Sequence, residues 1–73
     1  MRYQYVGVKK DNSTRVLSSN MKTKGKAFVS ALKSVNKLRC HTNPDKFIRL
    51  EIQDSEGNII PEYKDNEMLK IIQ

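Results

Sequence analysis

From Lys24 to Leu38 apolar residues recur at helical spacing. Ala27, Phe28, Ala31, Leu32, Val35 and Leu38 fall on one side of a wheel turned ~100° per residue. Lys26, Ser30, Lys33 and Lys37 gather within roughly 60° on the opposite side. The pattern predicts an amphipathic helix over 24–38. Thr23 or Asn20 can cap its start, since either offers a side-chain oxygen to unpaired backbone N–H groups. Gly25 would cost about 1 kcal/mol inside the helix, which favours a start near Thr23. Asn43-Pro44 marks a break after it.

Outside that stretch the period drops to two. In residues 2–9 (RYQYVGVK) Tyr3 and Tyr5 oppose Val6 and Val8, which predicts a strand with Gly7 as a bulge or a point of close approach. Asp11-Asn12-Ser13 is turn chemistry, and residues 14–18 (TRVLS) can return as a second strand. Residues 47–53 (FIRLEIQ) point Ile48, Leu50 and Ile52 inward and Arg49, Glu51 and Gln53 outward. Asp54 to Asn58 reads as a hairpin loop, and Ile59-Ile60 begins a return strand. Pro61 has no N–H to donate, so that strand is short or lies on an edge. Asp65 or Asn66 can cap a short last helix through Met68, Leu69, Ile71 and Ile72, although the same residues fit a final strand. The expected class is α+β: an antiparallel sheet of about four strands in the order ββαββ, with one amphipathic helix on one face and an optional short C-terminal helix.

Length makes this a single domain, residues 1–73. So short a chain buries only roughly 60–65% of its unfolded surface, so the core is thin. Periodic grouping of its 37% apolar residues argues against disorder despite the high charge. No apolar run approaches the ~20 residues of a membrane span. The segment MRYQYVGVKK has no apolar secretory core, and Cys40 has no second cysteine to pair with. A cytoplasmic protein without membrane contact is expected. Frequent Lys, Asn and Ile suit an AT-rich bacterial or viral genome.

Charge changes the picture most. Residues 1–44 hold ten basic residues against Asp11 alone, a formal +9, and residues 45–73 hold four basic and seven acidic, a formal −3. Such asymmetry points to an anionic partner. The predicted helix carries no acid, although its N-terminus favours anionic side chains and Glu–Lys pairs would support it. That arrangement suits a phosphate or carboxylate near the first turn. The candidate binding residues are Lys22, Lys24, Lys26, Lys33 and Lys37, with Arg39 and Arg15 extending the stripe. Lysine outnumbers arginine ten to four, which favours point-charge contact with a phosphate backbone over bidentate base reading. Tyr3 and Tyr5 are secondary candidates for base stacking, though half-buried sheet tyrosines are the commoner case.

No motif names a reaction. Arg39-Cys40-His41 is the one local cluster of reactive types, and neighbouring side chains rarely face each other productively. Cys40 filling a small apolar gap at the helix end is the simpler expectation, with His41 favoured by the helix C-terminus. A lone His41 supplies no metal set, and no cofactor motif is present. A small ribonuclease, or a nuclease using two carboxylates and a metal, is the best enzymatic alternative.

The sequence therefore predicts a non-enzymatic binder of nucleic acid or a nucleoprotein complex. The alternative is a viral or phage-type inhibitor that blocks a host protein or defence complex through protein–protein contacts, with an acidic protein surface as a fitting partner and its own sheet edge near Pro61 or the acidic hairpin Asp54 to Asn58 as the contact surface. Homodimerisation through a spare sheet edge is compatible with both.

Overall fold

The computed structural model of the chain describes residues 1–72. It runs β1 (Tyr3–Lys9), β2 (Thr14–Met21), α1 (Lys24–Cys40) and β3 (Phe47–Asp54), then two 3-10 turns at Pro61–Tyr63 and Glu67–Leu69. The strands form one antiparallel sheet in the order β2-β1-β3, so the fold is β-β-α-β and the expected fourth strand is absent among the described residues.

The β1–β2 turn forms because Asp11 bonds its own neighbourhood. Its carboxylate accepts from the Ser13 N–H at 3.0 Å and the Ser13 hydroxyl at 2.6 Å, and Asn12 takes the left-handed conformation at φ 70°. Those Ser13 bonds hold the Asp11 carboxyl below its ordinary range. β2 runs on to Met21 by absorbing two register shifts. Val16 pairs with Val6, Ser18 with Tyr5 and Met21 with Tyr3, so β2 carries one extra residue at Leu17 and another at Ser19–Asn20. Leu17 and Met21 pack against the core.

α1 starts where Thr23, in extended conformation, accepts the Lys26 N–H at 3.1 Å. It ends with the His41 N–H on the Lys37 carbonyl at 2.8 Å. Its buried residues, Ala27, Ala31 and Val35, meet Tyr5, Leu50, Ile52 and Phe47 from the sheet, and Leu69 and Ile71 complete the cluster. The opposite sheet face carries Gln4, Val6 and Val8 by alternation. Both valines are buried between cross-strand neighbours: Val16 and Glu51 beside Val6, Thr14 and Arg49 beside Val8. Arg49 and Glu51 form an ion pair at 3.3 Å on that face, and the Gln4 amide donates to Gln53 at 2.9 Å.

β3 corrects one inward assignment. The pairing steps from Val8–Arg49 to Lys9–Phe47, leaving Ile48 as an extra, half-buried residue and sending Phe47 into the core. The Phe47 ring lies directly over Gly7: a Cβ built there would sit 2.6 Å from two ring carbons. Gly7 is thus a point of close approach rather than a flexible joint.

The segment after β3 makes contacts too brief for a strand. Ile59 bridges Gln53, the Ile60 N–H reaches the Ile52 carbonyl at 2.9 Å, and Pro61 then opens a 3-10 turn. Asn66 accepts the Met68 N–H at 2.8 Å and caps the second turn, of three residues, after which Lys70 bridges Arg49. The Ile71 and Ile72 N–H groups both reach the Ile48 carbonyl. The expected terminal helix is therefore one 3-10 turn followed by a bridge. These contacts close the outer edge of β3 at both ends, including the edge near Pro61 expected to be spare. The open edge of the sheet is β2.

Two predictions follow from this packing. Gly7→Ala overpacks the Phe47 ring and costs about 1–3 kcal/mol in denaturant unfolding. Combined with Phe47→Leu it costs less than the two single changes together, whereas additive losses would contradict the close approach. Asp54 accepts the Asn58 and Glu56 N–H groups, each at 2.9 Å, and the Asn58 bond is the leading reason its carboxyl lies below its ordinary range. A depressed carboxyl stabilises the fold above its unfolded pKa and loses that contribution as pH falls through its folded pKa. Asp54→Ala should lower Tm at neutral pH, with the gap to wild type narrowing as pH falls below the ordinary carboxylate range; a pH-independent gap would contradict this role.

Candidate anion-binding face

The small residues Ala27 and Ala31, both fully buried, let α1 lie close over β1 and β3, and it touches β2 less. Its rotation is thereby fixed, and the two flanks of the helix meet different surroundings.

One flank meets the C-terminal segment. Phe28 stacks on Tyr63 with ring centroids 4.4 Å apart and planes 9° from parallel. Lys24 pairs with the Glu62 carboxylate, a hydrogen bond that raises the Lys24 pKa above its ordinary value. Arg39 donates to the Lys70 carbonyl. Lys24 and Arg39 are engaged here and do not extend the lysine stripe.

The other flank carries Ser30 and Ser34 toward β2, and Lys26, Lys33 and Lys37 lie beside them on the helix face turned away from the core. Ser34 fixes this side to the sheet through a 2.7 Å hydrogen bond between its hydroxyl and that of Tyr5. Lys26, Lys33 and Lys37 are exposed, as is Lys22 in the β2–α1 connection. None of these four takes part in an ion pair among the described residues. Two shallow clefts lie between this flank and β2. The first has Met21, Lys22, Lys26, Val29 and Ser30 in its walls, and the second has Leu17, Ser34, Lys37 and Leu38 over Tyr5 and Phe47. Arg15 on β2 reaches Asp45 at 3.1 Å beside the second cleft. The pair is exposed and weak enough for a polyanion to compete with it.

Of the seven basic candidates, the structure thus gathers Lys22, Lys26, Lys33 and Lys37, leaves Arg15 nearby in an ion pair, and turns Lys24 and Arg39 away. The aromatic candidates both lie against the core. Tyr5 is 8% exposed, inside the core, and Tyr3 is half-buried against it. The sequence reading missed the open edge of β2. Its signal was the polar run Ser18-Ser19-Asn20, which breaks the alternation expected of a strand covered on both sides.

The reactive cluster disperses. Cys40 is exposed rather than filling an apolar gap, and its thiol contacts Asn36 Oδ1 at 3.7 Å. His41 closes the helix through its backbone. No group of three His, Cys, Asp or Glu side chains suited to a metal ion occurs among the described residues. No helix among them is long and apolar enough to cross a membrane. No family model, curated protein or solved structure matches the chain.

Tyr5→Phe tests how the flank is held. Losing the bond to Ser34 should cost about 0.5–1.5 kcal/mol by denaturant unfolding. A neutral result would mean that apolar seating alone positions α1.

Proposed function

We propose that this chain is a small non-enzymatic binding protein that docks the lysine flank of α1 on an anionic partner, with a nucleic-acid backbone or nucleoprotein complex as the first candidate. One observation carries the reading: Lys26, Lys33 and Lys37 on one side of α1, with Lys22 just before it, have no ion-pair partner among the described residues, while the other basic side chains of α1 are engaged on the opposite side. Lys26 to Lys37 spans about 16 Å of helix axis at ~1.5 Å per residue, long enough to follow several successive phosphates. Lysines contact phosphates as point charges, so the expected recognition is of backbone or shape rather than base sequence.

A second reading, a viral or phage-type inhibitor acting through protein–protein contacts, is favoured by the open edge of β2 beside the same lysines. Self-association through that edge is opposed by bringing together two chains of formal charge +6.

The test is fluorescence anisotropy with single- and double-stranded DNA and RNA across a salt series. Four phosphate contacts give a slope of about −3 to −4 in log K against log salt. Lys26→Glu/Lys33→Glu/Lys37→Glu should keep the fold and lose affinity by roughly tenfold or more, with a shallower slope. The charge-matched Lys10→Glu/Lys46→Glu/Lys64→Glu variant should lose far less. Equal losses in the two variants would mean that overall charge, not the flank, attracts nucleic acid.

A further inference from the structure

We propose that the open edge of β2 is a docking edge for an extended acidic segment of a partner polypeptide, which adds as a further strand and presents carboxylates to Lys26, Lys33 and Lys37. This inference rests on the second reading above and names the chemistry of the partner.

Three observations converge on it. First, β2 is the unpaired edge of the sheet: β1 lies on one side of it, while residues 59–60 and 70–72 cover the far edge of β3. The outward backbone N–H and C=O groups of β2 are therefore available to an incoming strand. A sugar–phosphate chain offers no matching ladder of donors and acceptors. Second, Lys22 and Lys26 line one cleft beside this edge and Lys37 the other, with Lys33 on the same helix face as Lys26 and Lys37, and none of the four takes part in an ion pair among the described residues. A strand laid along β2 turns alternate side chains toward α1, where carboxylates find cations. Third, the side chains between them turn to the other sheet face, beside Thr14 and the half-exposed Val16. The best-fitting segment therefore alternates acidic residues with β-branched apolar ones.

The same features disfavour a second copy of this chain as occupant. The two extra residues in β2 distort its register, and Arg15 and the lysines would face their own equivalents. An acidic partner removes the charge penalty and can follow the edge where its pairing is regular.

A fluorescently labelled, end-capped peptide alternating Glu and Val is the probe. Two further versions carry N-methyl groups on one or the other alternate set of backbone amides, leaving charge unchanged. Anisotropy is expected to show saturable binding of the parent peptide, loss of binding by roughly tenfold or more for one methylated set, and near-parent affinity for the other, because only one set faces β2. The Lys26→Glu/Lys33→Glu/Lys37→Glu protein, with its fold checked by circular dichroism, should bind the parent peptide at least as poorly. No binding of the parent peptide, equal effects of the two methylated sets, or full binding by the triple variant would each overturn strand addition. Nucleic-acid binding in parallel samples reports on the first reading independently: peptide binding without it leaves this inference standing, and the reverse removes it.

Discussion

The seating of α1 through Ala27, Ala31 and Val35 is the constraint on which the rest of the molecule depends. Two alanines a turn apart let the helix backbone approach the sheet closely, and Val35 continues the same line. Turning the helix by one residue, ~100°, would bring Lys26, Ser30 and Ser34 into the space these residues fill in one direction, and Phe28, Leu32 and Asn36, too bulky for the close approach, in the other. Burying an unpaired ammonium costs several kcal/mol even after relaxation, so the rotation has no nearby competitor. Everything that distinguishes the two flanks follows from this one angle.

The charge asymmetry along the chain takes on a spatial meaning in consequence. Acids of the C-terminal half are engaged within the chain: Glu62 meets Lys24, Glu67 meets Lys70, Glu51 meets Arg49, and Asp45 meets Arg15. Asp54 is occupied with its own loop. None of these pairs involves Lys22, Lys26, Lys33 or Lys37. The C-terminal segment that neutralises one flank of α1 also closes the far edge of the sheet, so the unpaired lysines and the unpaired strand edge end up on the same side.

Much of this was legible in the sequence. The helix, its Thr23 cap, the β1–β2 hairpin, the inward Leu50 and Ile52 and the Asp54 loop all follow from local pattern and side-chain chemistry. The wheel also held an unused signal: Lys24 falls on its apolar side and Arg39 beside Phe28, away from Lys26, Lys33 and Lys37. What local pattern does not carry is register. The extra residue that sends Phe47 inward in place of Ile48 depends on a contact with Gly7, some forty positions away in the chain. Likewise Pro61 announced a weak strand but not which sheet edge would stay open, because that depends on where Ile71 and Ile72 return to β3.

The most direct test of an organised binding flank is nuclear magnetic resonance of the chain with its lysines 13C-methylated, a modification that keeps their charge, titrated with a short single-stranded oligonucleotide or an acidic peptide. The account predicts that the signals of Lys22, Lys26, Lys33 and Lys37 move together and saturate, while those of Lys24 and Lys70 hold near their free positions. Parallel shifts of all the lysines would contradict it, since diffuse charge rather than the helix flank would then be meeting the partner.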